Sequence, residues 1–278
     1  TDNWVDNWVN PSAPNMKNSS NISSGLEVVP QNNNEIFYVS YNQQLIDLYW
    51  NGSNWSYSTI LSNVKRNSPL HYGNGQLFYI DNSGGLNVVY NIQSGTSYSF
   101  SLINSNAPKV MDGTNFELVP QNNNEIYYVG VSDGIIYRLY WGGSSWLYEK
   151  TVTSNLNVRP FSEMHYGNGQ LFFVNSYGFL HTLYKNGNSW TYNWLNGNAP
   201  KVKTGTGFAL IPELNNTIYY IGEDNNIYKM YWIYAKGWVY EQINIANSSS
   251  GGGKDYEDLI YAENSIFYVA KNENQSGR

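Results

Sequence analysis

The sequence predicts an all-β fold, a six-bladed β-propeller whose blades are four-stranded antiparallel sheets. A four-residue unit, Ile or Leu followed by two aromatic residues and then Val or Ile, occurs six times in the 278 residues. The units begin at Ile36, Leu77, Ile126, Leu171, Ile218 and Ile266. Their spacings of 41, 49, 45, 47 and 48 residues each suit one four-stranded propeller blade. A single unit cannot bury its own apolar face, so the repetition predicts a closed stack of blades.

A second observation is that two kinds of unit alternate. Odd units open with an apolar strand that ends in proline, at 26–30, 116–120 and 208–212. Even units instead carry His-Tyr-Gly-Asn-Gly-Gln, at 71–76 and 165–170, and the sixth departs from this pattern at 260–265. The chain is therefore interpreted as three tandem double blades, so that a site on one blade is expected in up to three copies.

Within a blade, short runs rich in Tyr, Phe, Val and Ile predict the strands. In the first blade these runs lie at 25–30, 35–41, 44–50 and 54–61. The hairpin between the third and fourth strands reads Trp50-Asn51-Gly52-Ser53-Asn54-Trp55, with counterparts at 141–146 and 185–190. Asn-Gly and Gly-Gly steps supply the positive φ that tight reversals need. No stretch has a helical period with caps at both ends.

The predicted organisation is a single domain over residues 1–278. Its blades span roughly 24–62, 68–104, 115–154, 162–196, 207–245 and 257–278 plus 1–10. Residues 4–9 align with 190–195, so we expect them to form the fourth strand of blade six and to close the ring. After Val269 no counterpart of the third strand follows. We expect either a missing third strand in that blade or a natural protein that extends beyond one end.

The composition indicates a secreted or cell-surface protein that binds neither nucleic acid nor membranes. Charged residues make up 13% and aromatic residues 17%, and the net charge is −6. Both nucleic acid and anionic membranes favour basic patches, which this balance does not provide. No apolar run approaches the ~20 residues of a membrane helix. The chain has no Cys, so no disulfide framework is predicted.

The repeat resembles known protein families. The unit Ile-Tyr-Tyr-Val followed by Leu-Tyr-Trp-Asn-Gly-Ser-x-Trp, at 36–55, 126–146 and 218–238, is similar to repeats in secreted bacterial β-propellers, notably of Bacteroidetes. It also resembles propeller lectins: the fucose-binding lectins, the Photorhabdus-type lectins and the tachylectin-2/tectonin group. This resemblance implies sugar binding in clefts between adjacent blades, often with a tryptophan stacked on the sugar ring. The fucose lectins place an Arg near the second strand of each blade, whereas the four Arg of this chain do not repeat.

Paired tryptophans are the candidate carbohydrate-binding residues. A pyranose presents an apolar C–H face and a rim of hydroxyls, which suits an aromatic plane among amides and hydroxyls. One tryptophan ends the third strand of odd blades only, and a second begins the fourth strand. The candidate residues are Trp50, Trp55, Trp141, Trp146, Trp232 and Trp238, with Asn51 and Asn54 between them. The alternative is that these rings pack between blades, and the recurrence at Trp190 and Trp4 favours that alternative for the fourth-strand tryptophans.

Other polar residues have both a binding and a structural interpretation. The Asn-rich turns at 31–35 and 121–125 could bind sugar hydroxyls or could simply form solvated turns. His71 and His165 occupy matching positions, which suggests a packing niche or a ligand contact. His181 stands alone on a strand and is interpreted as a structural histidine.

Catalysis and cofactor binding have little support in the sequence. The acidic residues Glu35, Asp47, Glu117, Glu149 and Glu163 show no convergent pattern that would predict a glycosidase pair. No His/Cys cluster predicts zinc. The turns 81–85 and 224–226 leave open a structural calcium, although each supplies one carboxylate and is better explained as a β-turn.

Two functions follow. The first is a non-enzymatic, lectin-like propeller with several repeated sugar sites that binds glycans or glycoproteins, where several weak sites act together on a multivalent glycan. The alternative is a protein-interaction or structural propeller of a cell-surface assembly. Either function is compatible with a homo-oligomer, or with a chain that forms part of a larger protein.

Overall fold

The computed structural model describes residues 10–16, 25–29, 35–93, 97–119, 124–243, 255–262 and 265–271. The contacts of the chain divide it into two compact units. The first comprises 1–110, 118–125 and 139–148, and the second comprises 111–117, 126–138 and 149–278.

The described residues form 22 strands in six antiparallel sheets, and each sheet follows the chain order of its strands. The first sheet contains β1 Leu26–Val28, β2 Glu35–Val39, β3 Gln44–Trp50 and β4 Trp55–Ser62. The second contains β5 His71–Gly73, β6 Gln76–Ile80, β7 Leu86–Gln93 and β8 Ser97–Leu102. The third contains β9 Phe116–Val119, β10 Glu125–Val129, β11 Ile136–Trp141 and β12 Trp146–Lys150.

The fourth sheet contains β13 Met164–Gly167, β14 Gln170–Val174, β15 Leu180–Asn186 and β16 Ser189–Trp194. The fifth contains β17 Phe208–Ile211, β18 Thr217–Ile221, β19 Ile227–Ile233 and β20 Gly237–Ile243. The sixth consists of β21 Asp255–Ala262 and β22 Ser265–Lys271. One turn of 3₁₀ helix, Pro212–Leu214, joins β17 to β18.

The prediction of an all-β fold built from four-stranded antiparallel sheets is confirmed for five sheets. The predicted strands of the first blade coincide closely with β1 to β4. The sixth sheet has two strands among the described residues. Residues 4–9, predicted to close that blade, lie outside the described residues, so the count of six blades and the single domain stay predictions.

Apolar cores lie between consecutive sheets because the middle strands carry large side chains on both faces. Between the first and second sheets, Phe37 and Leu45 pack against Leu77 and Val89 in one buried cluster. Between the fourth and fifth sheets a similar cluster contains Phe172, Leu180, Phe208, Ile218 and Tyr220. These four sheets thus bury an apolar face by stacking on a neighbour, as expected for a repeat protein.

Tight turns hold the first and second strands of the even sheets together. In the second sheet Asn74 and Gly75 have φ of 50° and 73°, and in the fourth Asn168 and Gly169 have φ of 47° and 79°. Two consecutive residues with positive φ make the turn type that matches the twist of a two-residue hairpin, and Asn-Gly adopts it most readily. These turns fix the register His71↔Phe78 and His165↔Phe172.

Candidate carbohydrate-binding clefts

The three predicted tryptophan pairs are present at the hairpins of the first, third and fifth sheets. The rings in each pair meet edge to face, at interplanar angles of 71°, 75° and 73° and centroid distances of 6.1, 6.1 and 5.9 Å. The pairs are Trp50–Trp55, Trp141–Trp146 and Trp232–Trp238. Edge-to-face contact is a preferred geometry for aromatic pairs, so each pair is a defined local unit.

The two members of a pair differ in exposure. The third-strand tryptophans Trp50, Trp141 and Trp232 are 42%, 43% and 47% exposed, whereas their fourth-strand partners are half-buried. A large aromatic side chain this exposed, repeated at one position of a fold, indicates a surface that is available to a ligand. The exposed tryptophan is therefore the stronger candidate for stacking on a sugar.

Three fourth-strand tryptophans, Trp146, Trp190 and Trp238, pack against the neighbouring sheet, as the structural alternative predicted. Trp146 meets Phe78 of β6 edge to face at a centroid distance of 6.0 Å, and Trp238 meets Phe172 of β14 at 5.8 Å. In the fourth sheet, Trp190 meets Tyr127 of β10 at 6.0 Å. These contacts join consecutive sheets and give this tryptophan position a packing role, whatever else it binds.

A repeated asparagine holds the backbone of the fourth-strand tryptophan; we call this contact the asparagine clamp. The amide Nδ2 donates to the tryptophan carbonyl at 2.8, 2.8 and 2.9 Å. The three clamps are Asn10–Trp55, Asn104–Trp146 and Asn196–Trp238. The Oδ1 of each amide accepts a bond from the backbone N–H two residues later, which forms an Asx turn. At Asn104 and Asn196 the loop after one sheet thus positions the tryptophan pair of the next.

A cavity of about 650 Å³, the fifth-sheet cleft, opens between the fourth and fifth sheets. Its lining combines aromatic rings with amide and hydroxyl groups. The lining residues are Gln170, Thr182, Tyr184, Asn193, Trp194, Leu195, Asn196, Asn215, Asn216, Trp232, Lys236, Gly237 and Trp238. The cavity has the size of a small-molecule site and includes one predicted tryptophan pair together with its clamp.

Trp194 contributes a further aromatic surface to this cleft that the sequence did not single out. Its ring is 55% exposed and stacks on Phe179, with a centroid distance of 5.1 Å and an interplanar angle of 12°. His181 meets the same indole edge to face at 5.7 Å. Because two neighbours fix the ring, Trp194 is a rigid plane. The sequence signal was present, since Trp194 follows Trp190 by four residues just as Trp8 follows Trp4.

Hydrogen bonds within the polar lining order several of the groups that face this cleft. Thr182 Oγ1 donates to Gln170 Oε1 at 3.0 Å, and Asn193 Nδ2 donates to Tyr184 OH at 3.2 Å. The Oδ1 of Asn216 is buried and has no hydrogen-bond partner among the described residues. The lining therefore offers neutral donors and acceptors in fixed positions, which suits the hydroxyls of a sugar.

The corresponding space between the second and third sheets, the third-sheet cleft, repeats much of this arrangement. Trp141 and Trp146 form its tryptophan pair, and Asn104 is its clamp. Asn124 takes the place of Asn216, and its Nδ2 donates to Gln76 Oε1 at 2.8 Å. The repeat therefore extends from the tryptophans to the polar groups beside them.

The remaining candidates fall in different places. Within the hairpin of the first sheet, Asn51 Nδ2 donates to Asn54 Oδ1, and Asn51 Oδ1 accepts from the backbone N–H groups of Ser53 and Asn54. This network explains the turn, and a sugar contact by these two residues stays a prediction. The Asn-rich turn at 31–34 and residues 121–123 lie outside the described residues. His181 is 4% exposed and has a structural place, as predicted.

Two acidic residues that showed no pattern in the sequence converge on one histidine. His165 Nε2 lies 3.1 Å from Glu163 Oε2, and the His165 ring packs edge to face on Phe208. Glu117 accepts a hydrogen bond from the Tyr166 N–H at 2.8 Å, and burial raises the pKa of its carboxyl to about 7. Burial lowers the pKa of His165, but Glu163 and Glu117 outweigh it, and the pKa is raised. Packing on Phe208 and the two nearby carboxyl groups thus give His165 a structural role.

Metal-ligand clusters and membrane-crossing helices are absent from the described part of the chain. No three His, Asp or Glu side chains there lie close enough together to hold a metal ion. The turn carboxylates Asp81 and Asp224 accept backbone N–H bonds from Ser83 and Asn226, and a structural calcium at these turns stays a prediction. Within the same residues, no helix has the length and apolarity needed to cross a membrane.

Comparison with known proteins adds a likeness in fold. No protein-family model and no curated protein sequence matches the chain. The structure of YCF48 bound to D1 peptide aligns with a TM-score of 0.57 at 14% identity, over 93% of this chain and 81% of that one. AofleA from Arthrobotrys oligospora aligns with a TM-score of 0.54 at 16% identity, over 86% and 83%. The SapL1 lectin in complex with α-methyl fucoside aligns with a TM-score of 0.50 at 13% identity, over 86% and 89%.

These likenesses, at low identity, concern the fold. They confirm the predicted resemblance to lectin-like β-propellers. The resemblance to Bacteroidetes repeats in particular stays a prediction, as does the number of blades.

Proposed function

We propose that this protein is a non-enzymatic, lectin-like β-propeller that binds glycans or glycoproteins in clefts between adjacent blades. The observation that carries the proposal is the fifth-sheet cleft of about 650 Å³, where the exposed ring of Trp232 and the fixed ring of Trp194 stand among amide groups. An aromatic plane beside neutral hydrogen-bonding groups matches the two surfaces of a pyranose. The fold likeness to the SapL1 lectin supports the same class of ligand.

Repetition supports a multivalent mode of binding. The tryptophan pair and its asparagine clamp occur three times, and the third-sheet cleft also repeats the polar groups. Sites that are individually weak gain strength together on a multivalent glycan. We propose six blades, with three such sites, in a protein that acts outside the cell or at its surface, where glycans are displayed.

A binding role without catalysis follows from the same lining. Glycoside hydrolysis uses two carboxyl groups on either side of the bond that is cleaved. The lining of the fifth-sheet cleft contains no Asp or Glu. This cleft is therefore suited to holding a sugar rather than to cleaving it.

The first experiment is a glycan array probed with labelled protein beside a Trp50/Trp141/Trp232 triple alanine variant. We expect binding to a class of glycans, fucosides among them, that the triple variant loses. A Tyr177→Ala variant is the matched control, because Tyr177 is a 65% exposed aromatic residue that does not line the cleft. Binding that survives in the triple variant would contradict the proposed sites.

The alternative is a protein-interaction propeller that takes an extended peptide. Leu214, next in the chain to Asn215 of the cleft, is 54% exposed, and Tyr234, between Trp232 and Lys236 in the chain, is 92% exposed. The similar fold of YCF48 was determined with a D1 peptide bound, which is a property of that protein. If the folded protein binds no glycan on the array, a peptide array with the same triple variant is the next test, and loss of a peptide signal in that variant would favour the alternative.

A further inference from the structure

Lys236 is the only charged residue in the lining of the fifth-sheet cleft. The whole chain carries a net charge of −6, yet the lining contains no carboxylate. A lone cation beside neutral amides and aromatic rings makes the potential in this cleft positive, because no lining group offsets the charge. The one charged side chain that lines the cleft is therefore positive, whereas the chain as a whole has a negative net charge.

Lys236 stands on a hairpin that differs from its two counterparts. Five residues, 233–237, separate Trp232 from Trp238, whereas four separate the tryptophans at 51–54 and 142–145. Ala235 and Gly237 have positive φ of 67° and 78°, and the Lys236 N–H donates to the Ile233 carbonyl at 3.1 Å. The longer turn therefore presents a lysine where the other two hairpins carry only Asn, Ser and Gly.

The other lysines of the third and fourth strands are neutralised by carboxylates. Lys150 pairs with Asp133 at 3.0 Å and Lys229 pairs with Glu241 at 3.3 Å. Lys185 pairs with Glu149 at 3.2 Å. Lys236 has no ion pair with any residue that the structure describes. Its ammonium group is thus available to a ligand in the cleft.

We propose that the fifth-sheet cleft selects a pyranose that carries an anionic group, a carboxylate or a sulfate. This inference rests on the proposed function and adds the class of sugar for this one site. The apolar face of the sugar stacks on a tryptophan, the amides take its hydroxyls, and Lys236 pairs with the anionic group. A charge-assisted hydrogen bond is stronger than a neutral one, so the acidic sugar gains affinity over its neutral counterpart.

The third-sheet cleft is different in charge and therefore in selectivity. Its polar groups Gln76, Asn104 and Asn124 are neutral, and its hairpin reads Gly142-Gly143-Ser144-Ser145. The two clefts share the tryptophan pair and the clamp, but Lys236 lines the fifth-sheet cleft, whereas the hairpin 142–145 of the third-sheet cleft contains no charged residue. We expect the third-sheet cleft to bind neutral sugars without preference for an acid.

The test compares sugars that differ only at the sixth carbon: methyl α-galactoside, its 6-carboxylate and its 6-sulfate, with the glucose series in parallel. Titration calorimetry uses the full chain with Trp50 and Trp141 replaced by alanine, so that the other two tryptophan pairs do not obscure the result. We expect at least one anionic sugar to bind roughly tenfold more tightly than its neutral counterpart, with an advantage that shrinks as salt is raised. A preference for the 6-carboxylate or for the 6-sulfate identifies the anionic group that the site recognises.

Lys236→Gln should abolish this advantage while leaving the neutral sugar bound. Lys229→Gln makes the same change in charge on the same sheet at a residue that does not line the cleft, and should keep the advantage. Equal binding of anionic and neutral sugars, or equal effects of the two lysine variants, would overturn the inference. So would a preference for the acid that persists in Trp232→Ala, since the site would then lie elsewhere.

The outcomes separate this inference from the proposed function. If neutral sugars bind and Trp232→Ala removes them, but no acid preference exists, the proposed function stands and the inference fails. If no sugar of any charge binds the folded protein here or on the glycan array, both fail together.

Discussion

The side-chain amide of Asn196 donates a 2.9 Å hydrogen bond to the main-chain carbonyl of Trp238. The donor follows β16 of the fourth sheet, and the acceptor lies at the start of β20 in the fifth sheet. A loop of one sheet therefore determines where the tryptophan pair of the next sheet begins.

Asn196→Ala should lower the free energy of unfolding by about 1–2 kcal/mol, because the Trp238 carbonyl loses its partner in a half-buried position. Asn196→Asp should cost more, since a carboxylate oxygen would face that carbonyl. Urea denaturation measures both. Asn198→Ala is the control, because Asn198 takes part in the same turn through its backbone N–H and its side chain is exposed. If Asn196→Ala and Asn198→Ala unfold alike, the clamp has no energetic role.

Tyr127→Ala should destabilise the protein by about 3–5 kcal/mol, the usual cost of truncating a large buried aromatic side chain. Tyr127 is 3% exposed, stacks on Tyr166 at 5.6 Å and meets Trp190 edge to face. Trp141→Ala should lower the free energy of unfolding by less than about 1 kcal/mol, because 43% of that side chain is exposed. Thermal and denaturant melts of the two variants provide the comparison, and equal losses would mean that Trp141 is a packing residue.

His181 should make the protein less stable as the pH falls below about 6.5. Burial lowers the pKa of His181 to about 4, and its Nε2 lies 3.0 Å from the Asn175 side-chain nitrogen. A histidine with a depressed pKa in the folded state contributes stability above its unfolded pKa. That contribution is lost as the pH falls towards the folded value. A charge on the ring would disturb its stacked contact with Phe173 and its edge-to-face contact with Trp194.

The measurement is the unfolding free energy between pH 4 and pH 7 for the wild type and for His181→Phe, which keeps an aromatic ring and removes the titration. The variant should show a smaller fall towards acid pH. Identical pH profiles for the two proteins would exclude His181 as a cause of acid sensitivity.

Two half-buried glutamates, Glu27 and Glu117, should make the protein less stable as the pH rises. Burial raises the pKa of Glu27 and of Glu117 to about 7, from an ordinary value of 4.5. A raised pKa in the folded state gives stability that is complete below pH 4.5 and is lost as the pH rises through about 7. Glu117→Gln keeps an acceptor for the Tyr166 N–H and removes the titration.

Unfolding free energies of the wild type, Glu117→Gln and the Glu27→Gln/Glu117→Gln pair, measured from pH 4.5 to pH 8, test this expectation. The decline towards alkaline pH should be smaller in the single variant and smaller again in the double variant. A decline of the same size in all three would assign it to other groups.

Local patterns carried the prediction of the sheets. The run 44–50 coincides with β3, because a stretch of Leu, Ile, Tyr and Trp residues is bounded there by turn residues. The restriction of Trp50, Trp141 and Trp232 to odd blades likewise set them apart as candidates, and the structure shows that their rings are exposed. Such features depend on neighbours within a few residues, so the chain itself displays them.

Contacts across large sequence separations were not predictable in the same way. The bond from Asn196 to Trp238 spans 42 residues, and Glu117 lies close to His165 although 48 residues separate them. Nothing in a short stretch of sequence indicates which side chain of the next sheet will face it. The stacked position of Trp194 on Phe179 also depends on the packing of two strands. These relationships required the fold before they could be seen.

The additional residue in the hairpin 233–237 has an evolutionary consequence. Pairing of Trp232 with Trp238 and the bond from Asn196 fix the base of this hairpin, so insertion at its tip leaves the sheet intact. Each double blade can therefore change the tip of its own hairpin independently. Clefts that share a tryptophan pair can in this way come to differ in the chemistry of the residues around it. Under the proposed function, such a protein would discriminate surfaces by the combination of glycans that they display, and not merely by the density of one glycan.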